Sequence, residues 1–299
     1  MLYKIRVHSC HSWFFLFAWF AVNLPAQDIN FSLTPNTVRP GEPITLVIDK
    51  PYPEYRAKLL DVSGRTVASV PFFALKDGKR IAACIAIPAS WKDARGRIRV
   101  EPAIPGLGDL GFSVQPRTFE SEVIPLDEEN TAIRSEETAE KTAQSKTLND
   151  LLNSRGNTVY TYEAFKAPLT STRRTSQYGE QRVFVYTDGR KAPAVHAGVD
   201  YGVPKGTGVF ASAAGRVRMA VFRINTGNSV VIEHLPGLYS CYYHLDSMDV
   251  QEGDEVKQGQ RIGLSGATGL ATGPHLHWEI RLNGENADPD AFTKQPLLP

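Results

Sequence analysis

Short runs of β-branched and aromatic residues recur through most of this chain, each closed by glycine or proline. That rhythm restricts the chain to strands. In the C-terminal half, residues 216–221, 229–233, 238–244 and 277–281 are strand-like, with Gly215, Gly227, Gly253, Gly263 and Gly273 between them. In the N-terminal half, residues 44–48, 57–60, 81–87 and 97–100 repeat the pattern between Pro40-Gly41, Ser63-Gly64, Asp77-Gly78 and Pro105-Gly106. A length of 299 residues suits about two domains. The expected class is all-β. It comprises an N-terminal immunoglobulin-like β-sandwich over 28–116, a partly helical linker over 117–157 and a C-terminal antiparallel-β domain over 158–299. No cysteine pair brackets a tryptophan in 28–116, so the immunoglobulin label is architectural.

The linker is acidic, with Glu120, Glu122, Asp127, Glu128, Glu129, Glu136, Glu137 and Glu140. A helix is predicted over 131–153, with Leu148, Leu151 and Leu152 as its apolar stripe and Gly156 as its stop. Residues 1–26 have the form of an export signal: Lys4 and Arg6, the apolar run 13–22, then Ala26. That run is about half of the ~20 residues needed to span a bilayer, so no stable membrane span is expected after cleavage. The mature chain would be periplasmic or extracellular. Cys10 would leave with the signal, while Cys84 and Cys241 are expected as buried free thiols in different domains. A net charge of +1 without a long Lys/Arg run argues against nucleic acid as partner.

Beyond the N-terminal segment every histidine lies between His196 and His277. The window opens with His196-Ala-Gly-Val-Asp200, holds Tyr242-Tyr-His244-Leu and closes with His275-Leu-His277. On a strand, residues two apart share a face about 6.6 Å apart, so one imidazole of His-x-His can bind a metal beside the other. His196 and Asp200 would be about 13 Å apart if fully extended, so their segment must bend, and Gly198 and Gly202 make bending cheap. Two imidazoles and one carboxylate leave a metal an open position, as catalytic zinc requires. Strand parity puts Ser240 and Tyr242 on the face of His244 and Cys241 on the other, which removes Cys241 as a ligand. His234 alone is an ordinary strand residue.

These motifs resemble the M23 family of zinc metallopeptidases, the lysostaphin-like cell-wall endopeptidases. The matching text includes residues 175–179, 196–204, 206–211, 227–232, 242–245, 253–259 and 273–277, within about 165–292. The resemblance implies a compact antiparallel β fold with the site in a groove. It implies one Zn2+ per chain on His196, Asp200 and His277, with His244 and His275 as the catalytic pair that shares the general base and acid roles. Peptidoglycan peptides would be the substrate and hydrolysis of a cross-link or bridge the reaction. Some members of the family have lost ligands and only activate other wall hydrolases, but every motif position is filled here. A two-histidine, one-carboxylate Fe(II) enzyme is the other alternative. Export and the His-x3-Asp spacing both count against it.

Overall fold

A computed structural model describes residues 3–5, 29–49 and 54–299 of the chain. Two units divide it: Met1–Thr37, Ile44–Cys84 and Asp93–Val114 form one, and Val38–Pro43, Ile85–Lys92 and Gln115–Pro299 the other. The export-signal reading of 1–26 lies outside the described residues, apart from strand β1 (Tyr3–Ile5).

The N-terminal strands are β1, β2 (Ile29–Thr34), β3 (Thr37–Val38), β4 (Pro43–Ile48), β5 (Arg56–Leu60), β6 (Thr66–Pro71), β7 (Phe73–Ala74), β8 (Ile81–Ala86), β9 (Arg95–Glu101) and β10 (Leu110–Val114). They form two five-stranded sheets, ordered β1-β2-β4-β8-β7 and β3-β10-β9-β5-β6. In β9 the alternation is visible directly: Gly96, Ile98 and Val100 are buried, while Arg95, Arg97 and Arg99 are not. Central strands β4 and β8 are buried throughout, which matches their near-continuous apolar sequences. Cys84 in β8 is a buried free thiol. A cavity of about 840 Å³ opens in this unit, but its ionisable lining is limited to Arg95, Arg97 and Asp109. Arg97 and Asp109 already pair at 3.5 Å, so nothing there converges on a reacting atom.

The long C-terminal stretch of the second unit opens with β11 (Ser121–Pro125), α1 (Glu128–Ser135) and α2 (Ala139–Asn153). The predicted helix over 131–153 is thus two helices. Asp127 caps α1 by accepting from the Asn130 amide at 2.8 Å, and Thr138 caps α2 by accepting from Lys141 at 3.1 Å. Leu148 and Leu152 bury against Met219, Val231, Tyr239, Cys241 and Tyr243, with Leu151 beside them. This apolar stripe, more than intrinsic propensity, gives a 15-residue helix its reason to persist.

The remaining elements are β12 (Arg174–Ser176), β13 (Gln181–Val185), β14 (Lys191–Val195), β15 (Gly198–Tyr201), β16 (Gly208–Phe210), β17 (Gly215–Arg223), β18 (Gly227–Leu235), β19 (Leu238–Met248), β20 (Glu255–Val256), β21 (Arg261–Ser265), β22 (Leu276–Leu282), β23 (Glu285–Ala287) and α3 (Pro289–Lys294). The main sheet runs β12-β15-β22-β19-β18-β17-β20, and β11-β13-β14 make a separate three-stranded sheet. Strand β22 lies between β15 and β19 and is antiparallel to both. Their registers set Asp200 opposite His277, and His277 opposite Tyr243. Paired residues share a face, so the fold itself puts these side chains together. The chain is all-β in class, as its rhythm predicts. Among the described residues no helix is long and apolar enough to cross a membrane.

Candidate metal centre and groove

Three donor atoms converge at the junction of β15 and β22. Asp200 Oδ1 lies 2.8 Å from His277 Nδ1 and 3.1 Å from His196 Nε2, and the two nitrogens are 3.0 Å apart. All three residues are buried. A tetrahedral ion with ligands at about 2.0–2.1 Å would set its donors about 3.3 Å apart, so shifts of a few tenths of an ångström suffice. The cluster therefore fits a metal site. His196 sits between β14 and β15, and the chain bends there as its spacing to Asp200 demands. Gly198 serves that turn differently from the expectation: it has no positive φ. A Cβ at Gly198 would lie 2.2 Å from the Trp278 carbonyl oxygen, so its bareness lets β15 approach β22.

Hydrogen bonds on the far side of each ring select the nitrogen that faces the cluster. The Gln177 carbonyl is 2.7 Å from His196 Nδ1 and can only accept, so Nδ1 carries the proton and Nε2 keeps its lone pair. For His277 the outer partner is Glu279, whose Oε2 is 3.4 Å from Nε2, which leaves Nδ1 for a metal. Tyr243 stacks flat on His277, with centroids 5.6 Å apart and planes 5° from parallel. Arg182 holds the outer oxygen of Asp200, Nη2 to Oδ2 at 2.8 Å.

His244 and His275 stand beside the three donors, with their ring centroids 4.7 Å apart. His244 Nδ1 donates to the Thr268 carbonyl at 2.8 Å, and His275 Nδ1 to that of Gly273 at 2.8 Å. Each therefore keeps a free lone pair on Nε2, and His275 Nε2 is 3.9 Å from Asp200 Oδ1. The parity assigned to His244 does not survive. Its φ is +61°, a left-handed conformation that reverses the alternation of β19 at this point. The face shared with His277 carries Tyr243 and, opposite Glu279, Cys241; Ser240 and Tyr242 pair with Ile280 and Trp278 on the other. Cys241 is thus on the metal-facing side after all, but its partner in register is Glu279, and its thiol is fully buried. His234 is held apart, bonded to the Ala214 carbonyl at 2.9 Å and Ser240 Oγ at 2.7 Å.

Charge is arranged around the same atoms. Burial opposes ionisation of Asp200, yet hydrogen bonds from His196 and His277 hold its carboxyl well below the usual range. Burial likewise disfavours a charged His277, but hydrogen bonds to Asp200 and Glu279 raise it to about 9. His244 goes the other way: burial first, then the neighbouring His275 and His277, push it down to about 3. His196 is also lowered, by burial. A low basicity keeps His244 neutral at ordinary pH, which a proton acceptor needs.

The model of peptidase family M23 matches residues 194–289, the span that carries all five of these side chains. Residues 194–289 are thus similar to the peptidase family M23 domain. The chain is 39% identical over 122 residues to the DD-carboxypeptidase/endopeptidase Mpg of Neisseria meningitidis serogroup B, a match covering 41% of this chain and 27% of that protein. Peptidoglycan DD-endopeptidase ShyA of Vibrio cholerae is 42% identical over 112 residues, 38% of this chain and 25% of that one. The match thus spans about a quarter of the length of these curated relatives. A Pseudomonas aeruginosa protein described as an M23 peptidase has a crystal structure that aligns over 85% of this chain and 93% of its own, with TM-score 0.59 and 26% identity.

The groove over the M23 site, about 490 Å³, is walled in part from outside the family domain. Ile124 and Leu126, Arg134 of α1, and Arg182, Phe184 and Tyr186 line it beside the histidines. Strand β11 is held there by parallel pairing with β13, Ser121 opposite Gln181 through Pro125 opposite Val185. Helix α1 reaches the loop between β21 and β22 through Asn130 Nδ2, 3.4 Å from the Ala271 carbonyl. Sequence reasoning missed Arg182, Glu279, Phe184 and Arg134. Glu279 had a readable signal, lying two residues beyond His277 on one strand face. The other three depend on a pairing between segments far apart in the chain.

Proposed function

We propose that the chain is a zinc-dependent endopeptidase that hydrolyses peptide cross-links or bridges of bacterial peptidoglycan. The segment 1–26 would export it to the periplasm or beyond the cell, and 28–116 would be a separate β-sandwich domain. The observation that carries the reading is the sorting of ring nitrogens. His196, Asp200 and His277 aim three donors at one point, while His244 and His275 keep lone pairs beside it. The names of the relatives, peptidoglycan DD-endopeptidases among them, support the substrate class.

Zinc held by those three side chains would polarise a scissile carbonyl and activate water. The chain's own residues do the rest. Neutral His244, fixed by Thr268, accepts the proton of the attacking water at Nε2. His275, fixed by Gly273, offers Nε2 to the developing oxyanion when protonated, or hands a proton to the leaving amine. Arg182 holds Asp200 in place, and Tyr243 screens His277 from water.

Digestion of purified peptidoglycans of different cross-link chemistry, with mass spectrometry of the released fragments, tests the reading. The zinc-loaded chain is expected to release peptide fragments with new amino termini. His244→Ala should keep its zinc and lose about 10²- to 10⁴-fold in turnover, whereas His277→Ala should lose both. A His244→Ala protein without zinc, or a zinc-loaded chain inert on every wall preparation, counts against it.

A further inference from the structure

The ionisable groups of the groove are almost all spoken for. Asp200 is bonded to Arg182, His196 and His277, and Glu279 to Arg281 and His277. Arg182 reaches Glu180 as well as Asp200. Arg134 differs: it lines the groove with no hydrogen bond or salt bridge among the described residues, and its Nε is buried without a partner. An unsatisfied donor of this kind is costly unless something completes it. The guanidinium lies over the Phe184 ring, 4.0 Å from its centroid. A guanidinium held over a ring can still offer its terminal N–H groups to a carboxylate through two hydrogen bonds.

Its distance from the chemistry follows from β13. Arg182 and Phe184 project from one face of this strand, and both line the groove, with Tyr186 just beyond its end. Arg182 touches Asp200, and Phe184 is one same-face step further, about 6.6 Å along the strand. A bound extended peptide repeats its side chains at the same spacing. We propose that Arg134, stacked on Phe184, forms a subsite for a free carboxylate of the peptide substrate, about two residues from the bond that is cut. The subsite rests on the peptidase reading for its occupant, but not on turnover for its detection.

The test uses two synthetic cross-linked stem-peptide dimers, identical except that one has free side carboxylates and the other carboxamides. Calorimetry with the full chain is expected to show at least ~10-fold tighter binding of the carboxylate dimer. Arg134→Gln should bring the two within about 2-fold of each other, and Arg134→Lys should retain part of the preference, since it keeps charge but not the fork. Arg134→Met keeps an apolar stem over Phe184; loss of preference there, with an unchanged melting temperature, separates ligand binding from a structural strut. Equal binding by the wild type, binding of neither dimer, or a preference that survives Arg134→Gln and Arg134→Met overturns the subsite. Cleavage by the zinc-loaded chain distinguishes the two readings. Preferential binding without cleavage sinks the peptidase and leaves the subsite, and equally efficient binding and cleavage of both dimers does the reverse.

Discussion

Glu279 decides which nitrogen of His277 turns inward, and it is itself held at a pKa of about 2, where Arg281 and His277 outweigh the opposing effect of its burial. Glu279→Gln should therefore weaken zinc binding by about 10- to 100-fold, measured by competition with a chromogenic chelator. Unchanged affinity would mean that the strand and the stacked Tyr243 orient the ring without help. His244 carries a different cost. A non-glycine residue at φ +61° loses about 1–2 kcal/mol relative to an unstrained one. His244→Gly should accordingly resist urea better than His244→Ala by about 1 kcal/mol, although both lack the imidazole. Equal midpoints would show that the surrounding chain relaxes at this position. The pattern of histidines and carboxylate was legible in the sequence: spacing lets His196 and Asp200 meet once the chain bends, and the family resemblance implied His277 as the third donor. The facing of His244 was not. Parity assumes an extended backbone, and one left-handed residue cancels it.

Among the elements, strands with a buried face were the easiest to locate. Residues 44–48 and 97–100 fall inside β4 and β9 because one or both faces select apolar residues at period two. Strand β11 has no such pattern: Ser121, Glu122, Val123 and Pro125 are all exposed, and its only structural warrant is β13 beside it. Helix α2 was partly legible through Leu148, Leu151 and Leu152, while the break before it was hidden in the caps at Glu136 and Thr138. The leucines divide by burial. Leu152→Ala, at a site 1% exposed, should cost about 2–5 kcal/mol. Leu151→Ala, at the margin of the same cluster, should cost clearly less in parallel urea titrations. Equal losses would mean that α2 packs by a different face.

At the scale of the molecule, the larger cavity and the chemistry part company. The 840 Å³ space of the N-terminal unit is lined by Arg95 and by the Arg97–Asp109 pair, while the 490 Å³ groove gathers the histidines. Volume is a poor guide here, and convergence of lone pairs is a good one. The family match begins at residue 194, so it describes the floor of the groove but not the wall raised by residues 121–135 and 181–186. That wall also has its own timing. Strands β13 and β14 meet across a turn of a few residues, Val185 opposite Lys191, whereas β11 reaches β13 across about sixty. The longer closure is the slower event, and Asp200 meets His277 across a longer one still, 77 residues. In stopped-flow refolding, a Phe184→Trp protein should report burial at position 184 no later than the far-UV signal of the main sheet. Burial at position 184 that lags the far-UV signal would contradict this order. Refolding would then raise the wall first, and the histidines would gather into a groove whose side already stands.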